Sequence, residues 1–149
     1  MLTIHAADQV VGGGGYLKDG AVAVDGALIA AVGALPELTE RFPGARVRRW
    51  PGVLGPGLVH DGPLPDAPSP RERVHAVLKL GATAVVAGHV GTAELRAAAE
   101  RNDVRVLGAA RAAVLEVDGR ADLAVFAEEY GVGEAVATVC AGRLVHRRR

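Results

Sequence analysis

At both ends of this chain short apolar runs are separated by glycine and aspartate turns, whereas apolar positions at helical spacing are concentrated in its middle. Leu2-Thr3-Ile4 reads as a short strand. Ala21-Val22-Ala23-Val24 and Ala27 to Val32 are β-prone runs split by Asp25-Gly26. That pattern predicts a hairpin with a type I′ turn, in which both central residues take positive φ. Pro36 to Phe42 reads as a short helix with proline in its first turn, stopped by Pro43-Gly44. Arg46-Val47-Arg48-Arg49-Trp50 alternates, which predicts a strand with Val47 on one face and arginines on the other. Arg48-Arg49 is then a solvated strand edge. The four glycines Gly12 to Gly15 are followed by Tyr16-Leu17 rather than Lys and Ser or Thr, so they read as a flexible turn and not a phosphate cradle.

The middle opens with the proline-rich loop Gly62 to Pro70. Ser69 is placed to cap a helix with Pro70 at its first position, and Glu72 is its capping-box partner. Val74, Val77, Leu78 and Leu80 form the apolar stripe, and Gly81 stops the helix. Thr83 to Ala87 is a continuous apolar run of the kind found in buried parallel strands. Thr92 caps a second helix, Ala93 to Arg101, and Val104 to Leu107 is the next strand. Strand, helix and strand in so few residues predict a βαβ unit. Beyond it, Ala135 to Cys140 and Leu144 to His146 flank Ala141-Gly142-Arg143 as a final hairpin. Arg147 to Arg149 reads as a frayed, solvated end.

Composition narrows the function classes. The 149 residues suit one domain, and 17 basic residues balance 17 acidic ones. A neutral chain lacks the basic face that displaces counterions from a phosphate backbone, so no nucleic-acid partner is expected. No membrane partner is expected either, because no apolar run approaches the ~20 residues a spanning helix needs. No secretory signal is evident at Met1 to Asp8, which places the expected location in the cytoplasm. The single cysteine, Cys140, sits in an apolar run and reads as a small core residue.

Four segments resemble the amidohydrolase superfamily, with imidazolonepropionase and aminodeoxyfutalosine deaminase nearest in kind. Asp19 to Gly33 is similar to its amino-terminal hairpin, and Val53-Leu54-Gly55-Pro56-Gly57-Leu58-Val59 to the lead into its first barrel strand. Val117 to Phe126 resembles its Gly-x-x-Ala-Asp-Leu signature, and Val139 to Val145 its closing Val-x-x-Gly-Arg-x-Val hairpin. Leu80 to Val86 resembles a barrel-strand entry. The resemblance implies a mixed α/β fold. Its composite β-sandwich is formed by both chain termini (residues 1–59 and 113–149), with a βαβ remnant of a (β/α)8 barrel inserted at residues 60–112. A complete barrel needs ~200 residues or more, and this insertion has about fifty.

The resemblance also implies where a catalytic metal would be held. The family's His-x-His pair falls on Gly62 and Leu64, and neither side chain can coordinate a metal. No catalytic residue is assigned. His60 and Asp61 end one predicted strand and His89 follows another, so these three are the metal candidates, with zinc the cofactor they would hold. His75 is expected to be partly buried beside the helical stripe. His5 and His146 are expected on strands of the composite domain, where they could pair across it. Three functions are open: a non-catalytic binding or assembly module, an accessory subunit of a larger amidohydrolase, and a small metal-dependent hydrolase of non-peptide C–N bonds with a rebuilt site. The first is preferred. It predicts a homodimer or another protein partner covering apolar surface at Val85-Val86 or Val104 to Val106.

Overall fold

The fold is described for residues 1–12 and 15–149 in a computed structural model. Eleven strands run β1 (Leu2–Gly12), β2 (Gly15–Lys18), β3 (Gly20–Asp25), β4 (Leu28–Ala34), β5 (Arg46–Pro56), β6 (Leu58–His60), β7 (Ala82–Val86), β8 (Arg105–Leu107), β9 (Leu123–Phe126), β10 (Ala137–Cys140) and β11 (Arg143–Arg147). Three α-helices join them: α1 (Leu35–Arg41), α2 (Pro70–Lys79) and α3 (Ala93–Arg101). The strands form two sheets. The larger runs β11-β10-β9-β5-β1-β3-β4, with β2 paired to β1, and the smaller runs β6-β7-β8.

The amino-terminal strand is not short. It spans eleven residues because it lies between β3 on one side and a parallel partner, β5, on the other. Long-range pairing therefore extends a run whose local pattern is weak beyond Ile4. The predicted hairpin is present as β3 and β4, with its turn one residue later than expected. Asp25 pairs with Leu28, the loop is Gly26-Ala27, and only Gly26 has positive φ. That matches the II′ form, which asks for glycine at the first central position alone. Of the glycine run, Gly13 and Gly14 lie outside the described residues, and Gly12 pairs with Gly15.

Both ends of the chain build the large sheet, which bends round on itself. The segment before β9 bonds to the start of β4: Ile29 N–H donates to Gly119 O at 2.9 Å, and Asp118 N–H donates to Ile29 O at 2.8 Å. Val22, Val24 and Ile29 from one wing thus share a core with Leu123, Val125 and Val139 from the other. The opposite face of β1 and β3 packs Ile4, Ala21 and Ala23 under Leu38 of α1. Along Arg46 to Trp50 the faces do not separate Val47 from the arginines: alternation puts Arg49 on the exposed face with Val47, and Trp50 is buried because it faces the core between the wings.

In the small sheet both capping predictions hold. Ser69 Oγ accepts from Glu72 N–H and Thr92 Oγ1 from Leu95 N–H. Helices α2 and α3 cover one face, and Val74, Val77, Val85, Ala98 and Val104 form their core. Leu80 is not part of that stripe. It is the C-cap residue and exposed, as Gly81 takes positive φ and turns the chain away. Cys140 of β10 enters this helical core, and Thr138 Oγ1 donates to Leu78 O at 2.7 Å, so the two sheets are joined at β10. Val85 and Val104 are buried there, whereas Val106 is exposed. No helix of the described residues is long and apolar enough to cross a membrane.

Candidate functional site

The carboxyl ends of β6 and β7 are neighbours because the two strands run parallel, with His60 opposite Val85. Asp61 follows β6 directly. Beyond β7 a single 3₁₀ turn, Ala87–His89, swings His89 back toward it, anchored by the fully buried Val90. His89 Nε2 and Asp61 Oδ1 are 3.4 Å apart, near the surface. Of the three candidates expected to converge, His60, Asp61 and His89, the structure brings Asp61 and His89 together. Of the third candidate it makes something different. His60 shares a cross-strand row with Val85 and Val106, which faces the helices, and its Nε2–H donates to Pro63 O at 3.0 Å. His60 is thus engaged with the proline-rich loop rather than with His89.

A resident metal needs three or four converging protein donors. Among the described residues no group of three His, Cys, Asp or Glu side chains is close enough to hold one. The two positions implied by the resemblance do not fit a metal: Gly62 has no side chain, and Leu64 is buried in the helical core with Val74 and Val77. What Asp61 and His89 can do together is more limited. The carboxylate lies within ion-pair reach of the imidazole once that ring is protonated, without a hydrogen bond between them.

His5 and His146 are held by hydrogen bonds within the fold. Trp50 Nε1–H donates to His5 Nδ1 at 3.2 Å, so the ring carries its proton on Nε2. Burial, helped by Arg48, lowers the His5 pKa to about 4. His5 is thus paired with Trp50 and not with His146, whose Nε2–H donates to Ala135 O at 2.9 Å. His75 is exposed rather than partly buried, with its ring edge-on to His146. Burial foremost pushes the Cys140 thiol up to about 12, with Asp122 adding to it, which removes the residue as a nucleophile. Arg147 ends β11 with its guanidinium 5.5 Å above the Trp50 ring, so the basic tail starts from a packed residue.

Sequence reasoning missed one feature, a cavity of about 450 Å³ on the face of the small sheet opposite the helices. Arg105, Arg111 and Arg120 line it. Its sequence signal was the alternation Val104-Arg105-Val106-Leu107, which puts Arg105 and Leu107 together on the face away from Val106.

The description of an imidazolonepropionase-like composite domain from bacteria matches residues 20–45. No curated protein sequence matches the chain. Among solved structures, the chain is similar to an adenosine deaminase from Xanthomonas campestris with bound zinc, with TM-score 0.55 and 21% identity over 70% of this chain and 33% of that one. It is similar to E. coli guanine deaminase, with TM-score 0.53 and 16% identity over 71% and 35%. A. niger ochratoxinase gives TM-score 0.52 and 20% identity over 70% and 30%. The chain thus spans about a third of the length of these enzymes. With both terminal segments paired and a three-stranded parallel sheet between them, the chain shares the fold of these enzymes over about a third of their length, and residues 20–45 are similar to an imidazolonepropionase-like composite domain.

Proposed function

We propose that this protein is a non-catalytic binding or assembly module that works as a homodimer. The observation behind the reading is the burial of Leu64. A position that the resemblance gives to a metal ligand is occupied here by an apolar side chain packed under α2. Truncation supports it as well. The small sheet ends at β8, which has a strand on one side only among the described residues, and Val106 on that edge is 39% exposed. An unpaired strand edge with exposed apolar surface favours association. The setting proposed is the cytoplasm, where a lone unpaired thiol such as Cys140 is stable.

A second reading, a small hydrolase of non-peptide C–N bonds, is favoured by the Asp61–His89 pair at the ends of adjacent parallel strands. One experiment separates the two: size-exclusion chromatography with light scattering, and metal analysis of the same eluate. The module reading expects a mass of two chains and far less than one zinc per chain. One zinc per chain, lost in His89→Ala, transfers the assignment to the hydrolase. A mass of one chain removes the homodimer and leaves a different protein as partner.

A further inference from the structure

We infer that the cavity on the inner face of the small sheet binds a small oxyanion, a carboxylate or a phosphate, between Arg105 and Arg111. This rests on the reading as a binding module and names its ligand class. The volume of about 450 Å³ lies within the range of small-molecule sites. Its floor is a cross-strand row, because Val59 pairs with Ala84 and Ala84 with Arg105. Its far wall is the irregular segment that returns from β8 to β9, which supplies Arg111 and Glu116.

Charge decides what enters. Of the three arginines, Arg120 is already occupied. Its Nε–H donates to both oxygens of Asp122, at 2.8 and 2.9 Å, and it also donates to the Asp103 carbonyl. Arg105 and Arg111 form no ion pair among the described residues, and the one other carboxylate at the cavity, Glu116, is exposed. The lining is therefore one positive charge in excess, held on two guanidinium groups whose planar forks match a carboxylate or phosphate. Thr83, 2% exposed, also lines the cavity. It packs against Gly57, where a Cβ would come within 2.2 Å of its Oγ1. Glycine at 57 thus lets this hydroxyl-bearing side chain sit at the cavity floor. Apolar Val59 and Leu107 beside the arginines suit an anion with a small hydrocarbon part.

The test is an amide NMR titration of the full chain with sodium benzoate and, separately, with inorganic phosphate at constant ionic strength. The expected result is a saturable shift of the Thr83, Arg105 and Arg111 amides with at least one anion. Benzoate alone identifies a carboxylate site and phosphate alone a phosphate site. Arg105→Gln and Arg111→Gln should each weaken binding about tenfold, the loss of one charge-assisted contact. Both side chains are exposed, so both variants should fold, and Arg101→Gln, outside the cavity, should bind as the parent does. Shifts that do not saturate with either anion, or saturable binding unchanged by both cavity variants, overturn the inference. The metal content decides the module reading independently of this result.

Discussion

The two sheets solve the same problem differently. In the large sheet, strands from both ends of the chain pair on either side of the central β5, and the β4 wing is bonded back to the segment before β9. Its apolar faces are covered by its own wings and by α1. The small sheet has helices on one face only, an open edge at β8 and a cavity on its other face. After β8 the chain runs directly back to β9 through residues 108–122, and β9 pairs with β5. Structure is completed where the chain ends meet, and surface available for binding is left where the middle stops short.

The strongest way to break the large sheet is at the contact between two of its turns. Gly142 has φ +81°, and a Cβ there would lie 1.9 Å from the Gly26 carbonyl oxygen. The hairpin turns at 26 and 142 abut backbone to backbone, so the neighbour cannot yield. Gly142→Ala should cost about 4 kcal/mol or more, read as a lowered urea midpoint. Gly108→Ala, in the return segment behind β8, meets open space and should change stability by less than about 0.5 kcal/mol. Equal effects at the two positions would remove the distinction between a closed and an open region.

Local chemistry made much of this legible. Ser69, Thr92 and Gly81 marked the helix boundaries because caps and positive-φ stops are decided within a few residues. The apolar run in β7 marked a buried parallel strand for the same reason. The hidden features depend on partners distant in sequence. β1 grew to eleven residues through β5, and Trp50 took His5 as partner across 45 positions. The approach of Asp61 and His89 was legible because both follow parallel strands. The orientation of His60 was not, since it depends on how the proline-rich loop folds over the helices. The cavity lined by Arg105 and Arg111 was hidden because a return segment without regular structure forms one of its walls.

Acid should act on the large sheet through His5. The buried ring accepts from Trp50 on Nδ1, and its pKa is about 4 in the folded protein against 6.5 for a free side chain. The unfolded chain therefore takes up this proton first. Stability from His5 is complete above pH 6.5, falls as the pH drops from 6.5 toward 4, and levels off below 4. The total is about 3 kcal/mol. Urea unfolding at pH 7, 5.5 and 4, followed by Trp50 fluorescence, should show this decline. The difference between the parent and His5→Leu isolates it from the carboxylates that titrate nearby. A parallel pH dependence in both proteins would show that His5 is not the group responsible.

The smallest effect bears on whether the two regions open separately. Ser69→Ala and Thr92→Ala each remove one cap hydrogen bond from a helix that covers the small sheet, at a cost of about 1 kcal/mol apiece. If the small sheet opens on its own, amide exchange should quicken in α2, α3 and β7 while β1, β3 and β5 keep their protection. The linkage at β10 works against that independence: Cys140 is packed in the helical core, and Thr138 is bonded to the end of α2. Exchange that quickens equally in all strands would mean that β10 makes one cooperative unit of both sheets. Exchange confined to the helices and β7 would mean that the region with the open edge and the cavity can loosen while the sheet formed by the chain ends stays shut.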